Sequence, residues 1–129
     1  MDRVRFITHR GKKVLFLDYQ NATEAQALAM IRDRRRVVAE QPKNSLLTVA
    51  DLTGATFTKK VVEDIKAATV LDRPYVRRAA LVGVESAPKG LIDAVSTFSH
   101  RKWAQFNSVP EALDWVVAEE EDSATKATA

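Results

Sequence analysis

The sequence contains no cysteine, and this absence excludes disulfide bonds, thiolate metal ligands and thiol catalysis. Histidine is almost as scarce. His9 and His100 are the two that occur, and neither has a carboxylate beside it at the spacing of a metal site. No apolar run approaches the ~20 residues that a membrane-spanning helix needs. We therefore expect a cytoplasmic protein that binds no metal.

Sequence motifs of catalysis and of nucleotide binding are also missing. None of the serines stands in a Gly-x-Ser-x-Gly elbow, and neither a glycine-rich phosphate loop nor an RNA-stacking motif occurs. We accordingly predict no catalytic residue and no cofactor, and we expect no nucleic-acid partner.

The 129 residues carry a formal net charge of +3 and suffice for one domain with its own core. An acidic run, EEED, occupies positions 119–122 and is followed by residues without apolar periodicity. We predict a single domain over residues 1–118 and a disordered acidic tail over residues 119–129. The densest basic run is RDRRR at 32–36. It spreads around a helix, so we expect a solvated helix surface there.

Hydrophobic periodicity predicts a hairpin followed by a helix at the start of the chain. Residues 3–8 alternate polar and apolar, which is typical of a strand and not of a secretory signal. Residues 12–18 are more continuously apolar, and His9-Arg10-Gly11 between the two runs predicts a three-residue loop. Thr23 and Gln26 form a capping-box pattern, which predicts the start of a helix.

Strands and helices then alternate to the end of the domain. The predicted strands lie at 46–52, 78–84 and 101–106, and the predicted helices begin after Thr58, at Pro88 and at Pro110. The order is ββαβαβαβα. Because helical connections between strands demand parallel pairing, we predict an α/β fold. It consists of one mixed, mostly parallel sheet of about five strands with helices packed on it.

This order of elements, together with four stretches of sequence, resembles the SpoIIAA-like proteins, which are related to the STAS domain and to SEC14-type lipid-binding folds. The stretches are GKKVLFLDYQNAT at 11–23, LLTVADLTGATFT at 46–58, RRAALVGV at 77–84 and KWAQFNSVPEALDWV at 102–116. The resemblance implies a small cytoplasmic bacterial domain with no established enzymatic role.

In anti-sigma-factor antagonists of the STAS group, a serine that opens the helix after the third strand is phosphorylated, and this controls partner binding. The matching region here is 51–58, and it departs from that group's Asp-Ser-Ser-Gly pattern. Threonines stand at 53, 56 and 58 instead. The resemblance makes Thr58 a candidate phosphosite.

Polar residues gather where the predicted parallel strands end. Open parallel sheets bind ligands outside the carboxyl ends of their strands, and a helix N-terminus attracts anions. The candidate binding edge comprises Asp18, Asp51, Thr53, Thr56, Thr58, Lys59 and Glu85. The alternative is structural: Thr58 is a helix N-cap and Asp51 satisfies loop amides.

Aromatic and aliphatic residues suggest a second kind of site. Relatives of the lipid-binding type imply an apolar pocket between the second and third helices, with Phe57, Ile65 and Phe98 as candidate lining residues. The alternative is ordinary core packing, with Phe57 stapled onto Val62.

Two functions remain open from the sequence. The leading hypothesis is a non-enzymatic module that binds a protein partner through the edge between the third strand and the second helix. The alternative is a carrier of a lipid or another small apolar ligand. An acid/base pair of Asp18 and Asp51 is a weaker enzymatic hypothesis, because no histidine or substrate clamp accompanies it. The oligomeric state is open, and a homodimer is compatible with the sequence.

Overall fold

The computed structural model describes residues 3–99 and 103–118, although not the side chains of residues 98 and 99. The predicted tail, 119–129, and His100 lie outside the described residues. The elements, in chain order, are β1 Val4–His9, β2 Lys12–Asp18, α1 Glu24–Ala39, β3 Leu46–Asp51, α2 Lys59–Asp72, β4 Val76–Val82, a 3₁₀ turn Val84–Ser86, α3 Leu91–Ser99, β5 Ala104–Phe106 and α4 Val109–Val117.

The five strands form one sheet in the order β1-β2-β3-β4-β5. β1 pairs antiparallel with β2, and every later pair is parallel. The predicted fold class is therefore confirmed. The middle strands are apolar on both sides because helices cover both faces of the sheet, as parallel sheets require.

The helices divide unequally between the two faces. α1, α2 and α3 contribute residues to one core, together with strand residues such as Leu15, Leu17 and Ala50. α4 packs alone on the other face, where Val116 and Ala112 meet Val14, Val49 and Ala80. The alternation of strand side chains supplies both cores, because successive residues point to opposite faces.

The hairpin loop is one residue shorter than the sequence pattern predicts. His9 pairs with Lys12, so the loop consists of Arg10 and Gly11 alone. Both loop residues have positive φ, 52° and 77°. Two-residue hairpin loops favour this combination because their twist matches that of the flanking strands.

The third helix begins later than the sequence suggests. Pro88 precedes the helix, and α3 starts at Leu91 after Gly90, whose φ is +85°. A left-handed residue cannot continue a right-handed helix, so the predicted start at Pro88 is wrong. The other predicted caps are confirmed: Thr23 and Gln26 form a reciprocal capping box, and the Thr58 side chain accepts from the Val61 amide.

The hairpin is tied to α4 across the second face. His9 Nε2 lies 2.7 Å from the Asp114 carboxylate, and Arg10 lies 3.3 Å from the same oxygen. The hydrogen bond with His9, with a contribution from Arg10, lowers the pKa of Asp114 below its ordinary value. Lys12 adds a hydrogen bond to the Val117 carbonyl at the end of α4.

None of the helices in the described residues combines the length and the hydrophobicity that crossing a bilayer requires.

Gly83 allows the chain to turn at the end of β4. Its φ is +73°, and a Cβ atom there would lie 2.6 Å from the Thr53 backbone nitrogen. Gly11 has a similar φ, +77°, but a Cβ atom there would meet nothing within 4 Å. Replacing either glycine with alanine would therefore strain the backbone to a similar degree, but only the replacement at Gly83 would also produce a steric clash.

We expect Gly83→Ala to lower the free energy of unfolding more than Gly11→Ala does. Gly11→Ala should cost ~1–2 kcal/mol for the left-handed backbone. Gly83→Ala should cost a further ~1–3 kcal/mol because Thr53 must move. Urea unfolding followed by circular dichroism measures both values. Equal losses would show that the carboxyl ends of β3 and β4 are not closely packed in solution.

Candidate functional site

A cavity lies between the sheet and the three helices on its first face. Its volume is about 40 Å³. Residues from β2, β3 and β4 form the floor, and residues from all three helices form the walls. The lining residues are Leu17, Tyr19, Arg34, Thr48, Ala50, Leu52, Phe57, Ile65, Thr69, Leu81, Leu91, Ile92, Val95 and Trp103. We call this space the helix–sheet cavity.

Two of the three predicted pocket residues line this cavity. Phe57 and Ile65 are both among its walls, from the loop before α2 and from α2 itself. Nothing is described of the side chain of Phe98. The cavity also reaches α1, which is not part of the pocket predicted from the sequence. Arg34 and Tyr19 bring polar groups to that side.

A buried ion cluster joins α1 to α2 beside the cavity. The Arg34 Nε donates to Asp72 Oδ2 at 3.1 Å, and Arg35 Nη1 donates to the other carboxylate oxygen. The side chains of Arg34 and Asp72 are 8% and 2% exposed, and that of Arg35 is 32% exposed. Two guanidinium groups thus share one carboxylate, which leaves the cluster with one net positive charge.

Arg34 remains charged despite its burial. Desolvation by itself lowers the pKa of Arg34, but the contacts with Tyr19 and Asp72 outweigh it and raise the pKa above its ordinary value. The Arg34 Nη1 donates to the Tyr19 hydroxyl at 3.3 Å. The remaining guanidinium nitrogen, Nη2, has no hydrogen-bond partner within residues 3–99 and 103–118.

The hydroxyl of Thr48 is a second polar group in the cavity without a protein partner. Thr48 lies in the middle of β3 and is 5% exposed. In the part of the chain that the structure describes, its hydroxyl makes no hydrogen bond, whereas the Thr69 hydroxyl donates to the Lys66 carbonyl. Buried hydroxyl groups in proteins nearly always have a partner, which is otherwise water or a ligand.

The predicted solvated surface at 32–36 is wrong for Arg34. Arg34 follows Ala27, Met30 and Ile31 on the buried stripe of α1, at the helical spacing of three to four residues. A charged residue on an otherwise apolar stripe was the available signal. Its partner, Asp72, is the last residue of α2 and 38 positions away, so only the packing of the two helices reveals the pair.

The carboxyl edge of the sheet brings Asp18 and Asp51 side by side, because they are register partners in β2 and β3. Each carboxylate accepts hydrogen bonds from the loop that follows its own strand. Asp51 Oδ1 accepts from the amide and hydroxyl of Thr53, at 3.0 and 2.7 Å, and Asp18 Oδ1 accepts from the Gln20 amide at 3.1 Å. These bonds give both aspartates a structural role in turns that end strands.

The other residues of the predicted edge spread along the following loops. Thr53 and Thr56 are exposed before α2, and Thr58 caps that helix. Glu85 is exposed in the 3₁₀ turn after β4. Backbone hydrogen bonds join the loops, from Asn21 to Thr53 and from Leu52 to Val82.

Lys59 and Lys60 open α2, whose first turn contains no acidic residue. Cations are unfavourable at a helix N-terminus, where the helix dipole is positive. Lys60 is offset by Asp64 at 3.1 Å, one turn later. The start of α2 is therefore an exposed positive site at the carboxyl edge.

Metal-ligating side chains do not cluster in the residues described. Within residues 3–99 and 103–118, no group of three or more histidine, aspartate or glutamate side chains is placed to hold a metal ion. His9, one of the two histidines, lies against Asp114 instead.

Comparison with known proteins identifies the fold. Neither a protein-family model nor a curated protein matches the chain. A solved structure is similar: an uncharacterised protein of the DUF3478 family with a SpoIIAA-like fold, from Shewanella loihica PV-4. The TM-score is 0.69, the sequence identity is 14%, and the match covers 88% of this chain and 91% of the other. The chain has a SpoIIAA-like fold, as its sequence resemblance implies.

We expect Asp72→Ala to lower the free energy of unfolding by ~3–5 kcal/mol, because it leaves Arg34 buried without its carboxylate. Asp64→Ala is the matched control on the same helix. Asp64 pairs with an exposed lysine, so its loss should change stability by less than ~1 kcal/mol. Urea unfolding of the two variants and the wild type measures both effects. Similar losses would mean that Asp72 is solvated and the cluster is not buried.

Proposed function

We propose that this protein binds a small apolar molecule in the helix–sheet cavity. The observation that carries the proposal is the cavity itself, which combines apolar walls with a few polar groups from Arg34, Tyr19 and Thr48. Such a combination is typical of small-molecule sites, in which apolar walls supply affinity and few polar groups orient the ligand.

The packing around the cavity supports binding over simple core formation. Protein interiors are close-packed, and the voids that persist are few. A cavity of about 40 Å³ has room for about three or four water molecules at ~10–15 Å³ each. A core that served stability alone would gain from larger side chains at positions such as Ala50.

A ligand with several carbon atoms needs more room than the cavity has in this conformation. α3 forms one wall through Leu91, Ile92 and Val95, and it follows a glycine in the left-handed region. Ligand entry therefore requires α3 to move outward, and Gly90 is the adjacent residue about which the backbone can turn.

We expect native mass spectrometry of the freshly purified protein to show an apolar adduct that denaturation releases. Ile65→Trp, which fills the cavity, should reduce the adduct at least ~10-fold, because the added indole displaces the ligand. Val70→Trp is the matched control, since Val70 lies on the same helix, is 45% exposed and does not line the cavity. It should retain the adduct.

Two results would contradict the proposal. One is an adduct that persists in a folded Ile65→Trp variant. The other is a wild type with no adduct, together with no rise in melting temperature when medium-chain alcohols or acids are added.

A second candidate function is the binding of an acidic protein segment at the carboxyl edge. The observation that favours it is the uncompensated positive start of α2, where Lys59 adds a cation to the positive end of the helix dipole. Thr53 and Thr56 are exposed beside it. Phosphorylation of Thr58 would cancel the positive charge at the start of α2 and so regulate partner binding.

We expect Lys59→Glu to abolish cross-linking to such a partner in cells, because it reverses the charge at the start of α2. Lys43→Glu is the matched control: Lys43 is also exposed, but it precedes β3 and so lies at the opposite edge of the sheet. Cross-linking followed by identification of the captured protein measures the effect. An unchanged set of cross-linked proteins in Lys59→Glu would exclude this surface.

A further inference from the structure

The polar groups that line the helix–sheet cavity include several donors that no acceptor in the described residues uses. Arg34 has five N–H groups, of which two donate to Asp72 and Tyr19. The Tyr19 hydroxyl accepts from Arg34, and its own hydrogen has no acceptor in the described residues. The Thr48 hydroxyl is unpartnered there as well and is 5% exposed. Unused donors thus line a cavity that is otherwise apolar.

Arg34 is the buried cation of this cluster. Its side chain is 8% exposed, whereas Arg35, which shares Asp72 with it, is 32% exposed and reaches solvent. Asp72 accepts from the Arg34 Nε, and the Nη2 nitrogen has no acceptor in the described residues. Water or an anionic group satisfies this nitrogen, and the anionic group forms the stronger, charge-assisted hydrogen bond.

We propose that the ligand of this cavity is an apolar monocarboxylate, whose carboxylate binds Arg34, Tyr19 and Thr48. This inference rests on the proposed apolar binding function and specifies its ligand class. The planar guanidinium matches a carboxylate well, and hydrogen bonds between charged groups are the strongest that proteins make. Once α3 has moved outward to make room, the carbon chain extends along the apolar wall formed by Ile65, Leu91 and Val95.

The test compares two probes of equal chain length, octanoate and octanol, by isothermal titration calorimetry at neutral pH. We expect the wild type to bind octanoate at least ~10-fold more tightly than octanol, because only octanoate gives the unpartnered Arg34 nitrogen a charged acceptor. Arg34→Met should remove this preference, since it leaves Asp72 paired with Arg35 alone. Arg34→Lys keeps the charge and should restore part of the preference.

Arg36→Met is the matched control for the loss of an arginine. Arg36 lies on the same helix with its side chain 79% exposed, and it pairs with Asp33. It should leave both affinities unchanged. If Arg34→Met also weakened octanol binding to the same degree, the role of Arg34 would be structural and the proposal would be overturned.

Thr48→Val provides an independent test that does not disturb the ion cluster. It replaces an unpartnered buried hydroxyl with a methyl group, so the ligand-free protein should melt at the same or a higher temperature. Octanoate affinity should nevertheless fall ~3- to 10-fold, because the carboxylate loses a donor. Octanol affinity should fall less than octanoate affinity.

The outcomes separate this inference from the function on which it rests. Equal binding of octanoate and octanol would overturn the carboxylate proposal and leave an apolar binding function in place. Binding of neither probe would contradict both, and water would then be the occupant of the cavity.

Discussion

The right-handed connections between the parallel strands determine which face of the sheet can hold a cavity. From β2 to β5 each strand is added beside the previous one, without any reversal of direction across the sheet. Right-handed crossovers then place every connecting helix on the same face. α1, α2 and α3 accordingly share one core, and α4, which follows the last strand, covers the other face alone.

This arrangement moves the candidate site away from the carboxyl edge. Parallel sheets bind ligands at that edge where the strand order reverses and neighbouring helices separate to opposite faces. Here the order does not reverse, and the loops after β2, β3 and β4 are joined by hydrogen bonds. The available space lies instead between the sheet and the three helices, where Trp103, Phe57 and the walls of α2 and α3 enclose it.

The ion cluster of Arg34, Arg35 and Asp72 gives that space its chemical character. A buried ion pair contributes little net stability compared with an apolar pair of the same volume, although the loss of one partner is costly. Its contribution here is orientation: it holds a guanidinium at a fixed position between α1 and α2, with Tyr19 as a further anchor. Asp72 is also the last residue of α2, where the helix dipole disfavours a carboxylate, so the two arginines compensate the helix end as well.

Local patterns in the sequence were sufficient to predict the helices and strands, their order and the sheet. The reason is that hydrophobic periodicity, capping residues and helical connections act over short distances along the chain. These patterns were insufficient to predict the length of the hairpin loop and the first residue of α3. There, positive φ at Arg10 and Gly90 decided the geometry, and the residue types alone do not report φ. The sequence resemblance supplied Phe57 and Ile65 of the apolar wall, whereas tertiary structure alone decided the polar side of the site. The burial of Arg34 and its pairing with Asp72 arise only when two helices separated by a strand pack together. The sequence of a helix does not reveal whether a charged residue faces water or a neighbouring helix. The free energy of that charge nevertheless differs by several kcal/mol between the two environments.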